Sequence, residues 1–167
     1  MIKAMITGSF DPITKGHEDL IRRASALFDE IYVVISANTV KGGGMFTSEQ
    51  RLLMADAVIG QINDEIGKKV IKSDICHGLV SEYAQNHGIS VIVRGARSAT
   101  EYEYEAQLFE INRALAGIET IVLPSSSQYE HISSAFARDM VLYGRAALAV
   151  PAPALAILEE IVKNIEK

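Results

Sequence analysis

The sequence has a single cysteine, Cys76, in 167 residues, so no disulfide can form within the chain. That fits a reducing compartment, and a cytoplasmic location is expected. There is no basic surplus: 16 Lys and Arg stand against 21 Asp and Glu, for a formal net charge of -5. A general nucleic-acid coat is therefore disfavoured, although one basic cleft is compatible with an acidic total. No stretch approaches the roughly 18 apolar residues of a membrane span. The N-terminal run Met1-Ile2-Lys3-Ala4-Met5-Ile6-Thr7-Gly8 is too short and too soon broken for a signal peptide. Neither nucleic acid nor a membrane is expected as a partner. Several catalytic signatures are missing as well. G-x-x-x-x-G-K-[ST], G-x-G-x-x-G and G-x-S-x-G do not occur, which disfavours a classical kinase or GTPase, a dehydrogenase and a serine hydrolase. Cys76, His77, His87 and His131 show no metal-ligand spacing, so no metal-binding residue is expected. No repeat or low-complexity tract divides the chain, and residues 1–167 read as one domain.

What is present is an alternation of short apolar runs with longer amphipathic ones. Apolar residues make up 49% and charged residues 22%, a globular balance with enough chain for a core. Strands are predicted over 4–7, 31–36, 69–72, 89–93 and 120–123. Helices are predicted over 18–28, from a cap at Thr47 to about 62, over 79–86, 101–115 and 132–143, and at about 154–166. Thr47-Ser48-Glu49-Gln50 is a capping-box signature. The alternation predicts an α/β chain, a Rossmann-like, doubly wound five-stranded parallel sheet in the order 3-2-1-4-5 with helices on both faces. Such sheets bind ligands at the carboxyl ends of their strands where the winding reverses. That places a site just after Thr7 and just after Val93.

Unusual segments stand at those two places. Gly8-Ser9-Phe10-Asp11-Pro12-Ile13-Thr14-Lys15-Gly16-His17 follows the first strand and leads into a helix. A helix N-terminus attracts phosphate, His17 and Ser9 can bond its oxygens, and Gly16 lets a ligand approach the backbone. The plainer reading is a turn capped by Thr14 or by the histidine. Arg94-Gly95-Ala96-Arg97 follows the fourth strand, and arginine forks suit phosphate. Glu101 and Glu105 share one helix face, where they are either solvated or accept from ribose hydroxyls. Ile132-Ser133-Ser134 opens a second helix N-terminus on the same rim, as phosphate contact or simple cap. Lys41 lies in a glycine-rich loop after the second strand.

Together these segments resemble bacterial phosphopantetheine adenylyltransferases, within the nucleotidylyltransferase superfamily, from Met5 to about Tyr143. Met45-Phe46, Glu103-Tyr104-Glu105 with Gln107, and Asn112-Arg113 complete the match. The resemblance implies transfer of AMP from ATP to 4′-phosphopantetheine in coenzyme A biosynthesis, with Mg2+ and a homohexameric assembly. It implies catalytic roles for Ser9, His17, Lys41 and Arg94. It implies ATP contacts at Gly8, Ser9, Phe10, His17, Gly95, Arg97, Glu105, Ile132, Ser133 and Ser134. The acceptor would meet Ser9, Lys41, Leu79, Val80, Arg94 and Asn112. Feedback by coenzyme A is a further expectation, because the product carries the same arm. The chain departs from the family pattern at Gly42-Gly43-Gly44, at Glu101-Tyr102, at Ala135 and at Cys76-His77. Two other readings stay open: a superfamily transferase acting on nicotinamide mononucleotide or a small phosphate ester, and a non-catalytic nucleotide-sensing module.

Overall fold

In the computed structural model, which describes residues 1–37 and 44–165, five strands form one parallel sheet. They are Lys3–Gly8 (β1), Glu30–Ser36 (β2), Ile71–Cys76 (β3), Val91–Ala96 (β4) and Glu119–Pro124 (β5), in the order β3-β2-β1-β4-β5. The α-helices are Lys15–Ser25 (α1), Ser48–Ile66 (α2), Val80–Asn86 (α3), Ala99–Ala116 (α4), Ser134–Leu142 (α5) and Ala152–Ile165 (α6). The predicted order and the coverage of both faces hold.

The pleat sorts the strand residues into two cores. Ala4 and Ile6 of β1, Ile31, Val33 and Ile35 of β2, and Val93 of β4 point to one face, with buried residues of α1, α2 and α6. Met5, Val34 and Ile92 point to the other, with Ala84 and partly buried Val80 and Tyr83 of α3. Because β1, β2 and β4 are apolar on both faces, they occupy the middle of the sheet. α6 places Ala154 and Leu158 in the core beside α2, so one face of it caps that core while the other stays exposed.

Some boundaries move. β3 runs six residues from Ile71, not over 69–72, because it is an edge strand whose Lys72, Ser73 and Asp74 alternate outward or half-outward. Asn63 of α2 fixes where it starts, its Oδ1 accepting from the amides of Val70 and Ile71. β4 begins at Val91 and continues through Arg94, Gly95 and Ala96, which pair with Val122, Leu123 and Pro124 of β5. The arginine-glycine segment thus belongs to the strand itself. α1 starts at Lys15, three residues before the predicted Glu18, and α5 starts at Ser134 with Ser133 as its cap. The box at Thr47 forms as expected, and α2 then runs on to Ile66, where left-handed Gly67 stops it.

Candidate active site

Two cavities open along the carboxyl ends of β1 and β4, of about 480 and about 1200 Å³. They share one wall, made of Thr7, Gly8, Ser9, Arg94 and Glu105. The residues expected to meet ATP gather at the smaller one. Gly8, Ser9, Phe10 and His17 come from β1 and the start of α1, Gly95 and Arg97 from β4 and its exit, Glu105 from α4, and Ile132, Ser133 and Ser134 from the start of α5. Ser9, Arg94, Val80 and Asn112, expected to meet the acceptor, line the larger cavity. Leu79 does not line it; it precedes α3 and is 59% exposed. Lys41 lies outside the described residues.

His17 owes its position to the cap of its own helix. The Thr14 side chain accepts from the His17 amide at 3.3 Å, and His17 Nδ1 accepts from the Thr14 amide at 3.0 Å. This is a capping box in which an imidazole replaces the usual Glu or Gln side chain. Nδ1 receives a backbone N–H, so it carries no proton, and the neutral ring keeps its proton on Nε2. Desolvation on burial lowers the His17 pKa from 6.5 to about 4, and the positive charges of Arg94 and Arg97 push the same way. The ring also stacks at a tilt on buried Phe10, with centroids 4.8 Å apart. His17 therefore offers a neutral N–H donor to the cavity.

The arginines arrive already paired. Arg94 grips Glu105 with Nε at 2.8 Å and Nη2 at 2.5 Å, and its Nη1 donates to the Thr7 carbonyl. Two Nη hydrogens are left to donate elsewhere. Arg97 pairs with Glu101 in the first turn of α4, whose carboxylate also accepts from the Arg97 amide at 2.8 Å. Glu105 is buried, so the arginine opposite it balances its charge. Ser133 caps α5 by accepting from the Phe136 amide at 2.9 Å. The plain capping reading is thus realised, while the first turn of α5 still faces the smaller cavity.

One group of site residues escaped the sequence reading. Asp11, 4% exposed, accepts from the Met45 and Phe46 amides at 2.9 Å each. Arg51 of α2 lies 3.3 Å from the Asp11 carboxylate and donates to the Phe46 carbonyl at 2.7 Å. Arg138 of α5 donates to the Asp11 carbonyl at 3.0 Å. Gly44 packs so closely here that a Cβ would overlap both Arg51 and Asp11. Arg51 and Arg138 also line the larger cavity, adding two cations to its wall. Nothing local in the sequence links Asp11 to α2 or α5.

A family model for cytidylyltransferase-like proteins matches residues 5–139. A phosphopantetheine adenylyltransferase from Corynebacterium diphtheriae is 40% identical over 164 residues, which cover 96% of this chain and 99% of that one. One from Streptomyces coelicolor is 36% identical over 165 residues, covering 98% and 99%. Among solved structures, a nicotinic acid mononucleotide adenylyltransferase from Plasmodium falciparum superposes with a TM-score of 0.67 over 95% of each chain, at 18% identity, and so supports the fold alone. Near-full-length similarity, the family match and the sheet order agree: the chain belongs to the phosphopantetheine adenylyltransferases, a nucleotidyltransferase family of the cytidylyltransferase-like kind.

Proposed function

We propose that the chain transfers AMP from ATP to 4′-phosphopantetheine, giving dephospho-coenzyme A and pyrophosphate. The observation that carries this reading is the shared wall: two cavities of different size meet at Ser9 and Arg94, as two substrates must meet at one phosphorus. An oxygen of the acceptor phosphate attacks the α-phosphorus in line. The bond from that phosphorus to the bridging oxygen breaks, and pyrophosphate leaves with the electron pair. A phosphate monoester is already anionic near neutral pH, so the step requires no general base. Positioning and charge neutralisation then supply the catalysis.

In this reading His17 donates from Nε2 to the nucleotide phosphates. Arg97 and the first turn of α5 hold the polyphosphate, while Ser9 and the remaining Arg94 donors hold the acceptor phosphate. Lys41 is assigned to the transition state on the family resemblance. Loss of one preorganised donor costs on the order of 3 kcal/mol at a barrier, so His17→Ala should slow turnover roughly a hundredfold. Mg2+ would neutralise phosphate charge. The carboxylates beside the cavities fit it as an ion carried by the nucleotide, because Asp11, Glu101 and Glu105 are each engaged by arginine. Among the described residues no group of three metal-ligating side chains forms.

A homohexamer, coenzyme A feedback and a cytoplasmic setting belong to the same proposal. Exposed Ile111 and Leu115 on α4, with Leu142 and Tyr143 at the end of α5, support burial against further copies. Coenzyme A would compete in the larger cavity through the arm it shares with the acceptor. The buried thiol of Cys76 suits a reducing compartment. No helix among the described residues is long and apolar enough to cross a membrane. The test is pyrophosphate release from ATP and Mg2+ with 4′-phosphopantetheine, nicotinamide mononucleotide and a small phosphate ester in parallel. Release with the first acceptor alone is expected, and release with either of the others in its place would overturn the assignment.

A further inference from the structure

The connection from β5 to α5 carries Ser125, Tyr129 and Ile132 to the rim of the smaller cavity. Its only regular structure is a short 3-10 turn, Ser127–Tyr129, and no residue of that turn is buried. The Ser125 amide donates to the Ala96 carbonyl at 2.9 Å, and Tyr129 packs on the small core of Ile132, Ala137 and Ala149. Between those two anchors, two side chains of α1 hold the segment. Asp19 and Arg23 lie one turn apart on the same helix face, 3.4 Å from each other. Arg23 Nη1 donates to the carbonyl of Pro124, the last residue of β5, at 2.7 Å. Ser126 Oγ donates to Asp19 Oδ2 at 2.8 Å. Further along, the connection lies on the first turn of α1: a Cβ at Gly16 would be 3.8 Å from Tyr129 and 4.0 Å from the Ile132 carbonyl.

Asp19 stands two residues from His17 on the same helix. A bond from Asp19 to Ser126 therefore fixes the distance between the His17 donor and the opposite rim of the cavity. We infer that Asp19 is a positioning residue for nucleotide binding, which acts through Ser126 and Arg23 to hold the β5–α5 connection over the N-terminus of α1. Asp19 and Arg23 themselves line the smaller cavity, whereas Ser126 lines neither cavity, so loss of Ser126 is what separates positioning from direct contact. The effect of Asp19 is confined to the smaller cavity, because Asp19 and Ser126 do not line the larger one. The inference rests on the reading of the smaller cavity as the ATP site.

Hydrogen bonds to a charged group are strong enough that losing this one should weaken ATP about tenfold or somewhat more. The experiment compares wild type, Asp19→Ala, Ser126→Ala, Asp19→Asn and a control, Arg22→Ala. The control breaks a different ion pair of the same helix, with Glu18 and Glu65. KM for ATP should rise about tenfold in Asp19→Ala and by several-fold in Ser126→Ala, with KM for the acceptor and kcat near wild type. Asp19→Asn keeps an oxygen for Ser126 and should recover most of the loss, and Arg22→Ala should leave KM for ATP unchanged. Unchanged KM for ATP in Ser126→Ala overturns the inference whatever Asp19→Ala does, because Asp19 itself lines the cavity. So does a parallel change in both KM values and kcat that Arg22→Ala reproduces, which would mark a merely structural role. Calorimetric titration of ATP into wild type and Ser126→Ala separates the two layers. If wild type binds ATP but no acceptor reacts, the transferase reading fails while the positioning inference is still decided by the affinity ratio. If wild type does not bind ATP, both fail.

Discussion

The capping box around His17 makes a prediction that needs no substrate. In the fold Nδ1 is occupied by the Thr14 amide and the ring is desolvated beside two arginines, which lowers the His17 pKa from 6.5 to about 4. An unfolded chain protonates that ring near its ordinary value. Between those two pH values the unfolded state binds a proton that the native state refuses, so stability falls as the pH drops through that window. The His17 contribution is fully present above about 6.5 and fully lost below about 4. At pH 4.5 the loss should reach about 2 to 3 kcal/mol. His17→Gln is the informative comparison, since glutamine is a natural partner in a capping box and does not titrate. Urea unfolding of both proteins should give a stability difference that shifts against wild type by that amount between pH 7.5 and 4.5. Carboxylates titrate in both proteins and cancel in the difference. Nitrogen-15 spectra of the imidazole should show an unprotonated Nδ1 and a protonated Nε2 at pH 6. A flat stability difference, or a His17 titration centred near 6.5, would refute the capping account and the neutral donor derived from it.

Three further outcomes follow from the buried ion pairs. Arg94→Ala strands the buried Glu105 carboxylate and should cost on the order of 3 kcal/mol in urea unfolding; adding Glu105→Gln should restore most of the stability but not turnover. Asp11→Ala leaves the Met45 and Phe46 amides without their acceptor and Arg51 without its counter-charge, and a loss of about 3 kcal/mol is expected by the same measurement. Gly44→Ala places a methyl group against Asp11 and Arg51, which should cost about 1 to 3 kcal/mol and lower Tm.

Much of the frame was legible because local chemistry and final position coincide. Ile31 to Ile35 and Val91 to Val93 are apolar on both faces, so their central place in the sheet could be read directly. β3 could not be read the same way, because an edge strand tolerates Lys72, Ser73 and Asp74, and these break the apolar run that marks a strand. Arg94 and Gly95 are poor strand formers whose strand state depends on pairing with β5, a partner distant in sequence. At the site, the glycine-rich turn into α1, the arginines and the serines opening α5 were visible as motifs. What those groups bond to was not. The Asp11 network joins β1, α2 and α5, and Asp19 reaches Ser126 across the chain. Long-range polar partners of this kind leave no local periodicity. The cap of α1 was legible, with Thr14 or His17 as its candidates; that the two bond reciprocally was not, since the usual signal is Glu or Gln at the third helical position.

The proposed transfer depends on the smaller cavity holding a nucleoside triphosphate, with its α-phosphorus at the wall shared with the larger cavity. A crystal structure with a non-hydrolysable ATP analogue and Mg2+ addresses that directly. The β- and γ-phosphates should lie within hydrogen-bond distance of His17 Nε2, Arg97 and the first turn of α5, and the α-phosphate should face Ser9 and Arg94. A nucleotide bound elsewhere, or one with its phosphates directed away from His17, would contradict it.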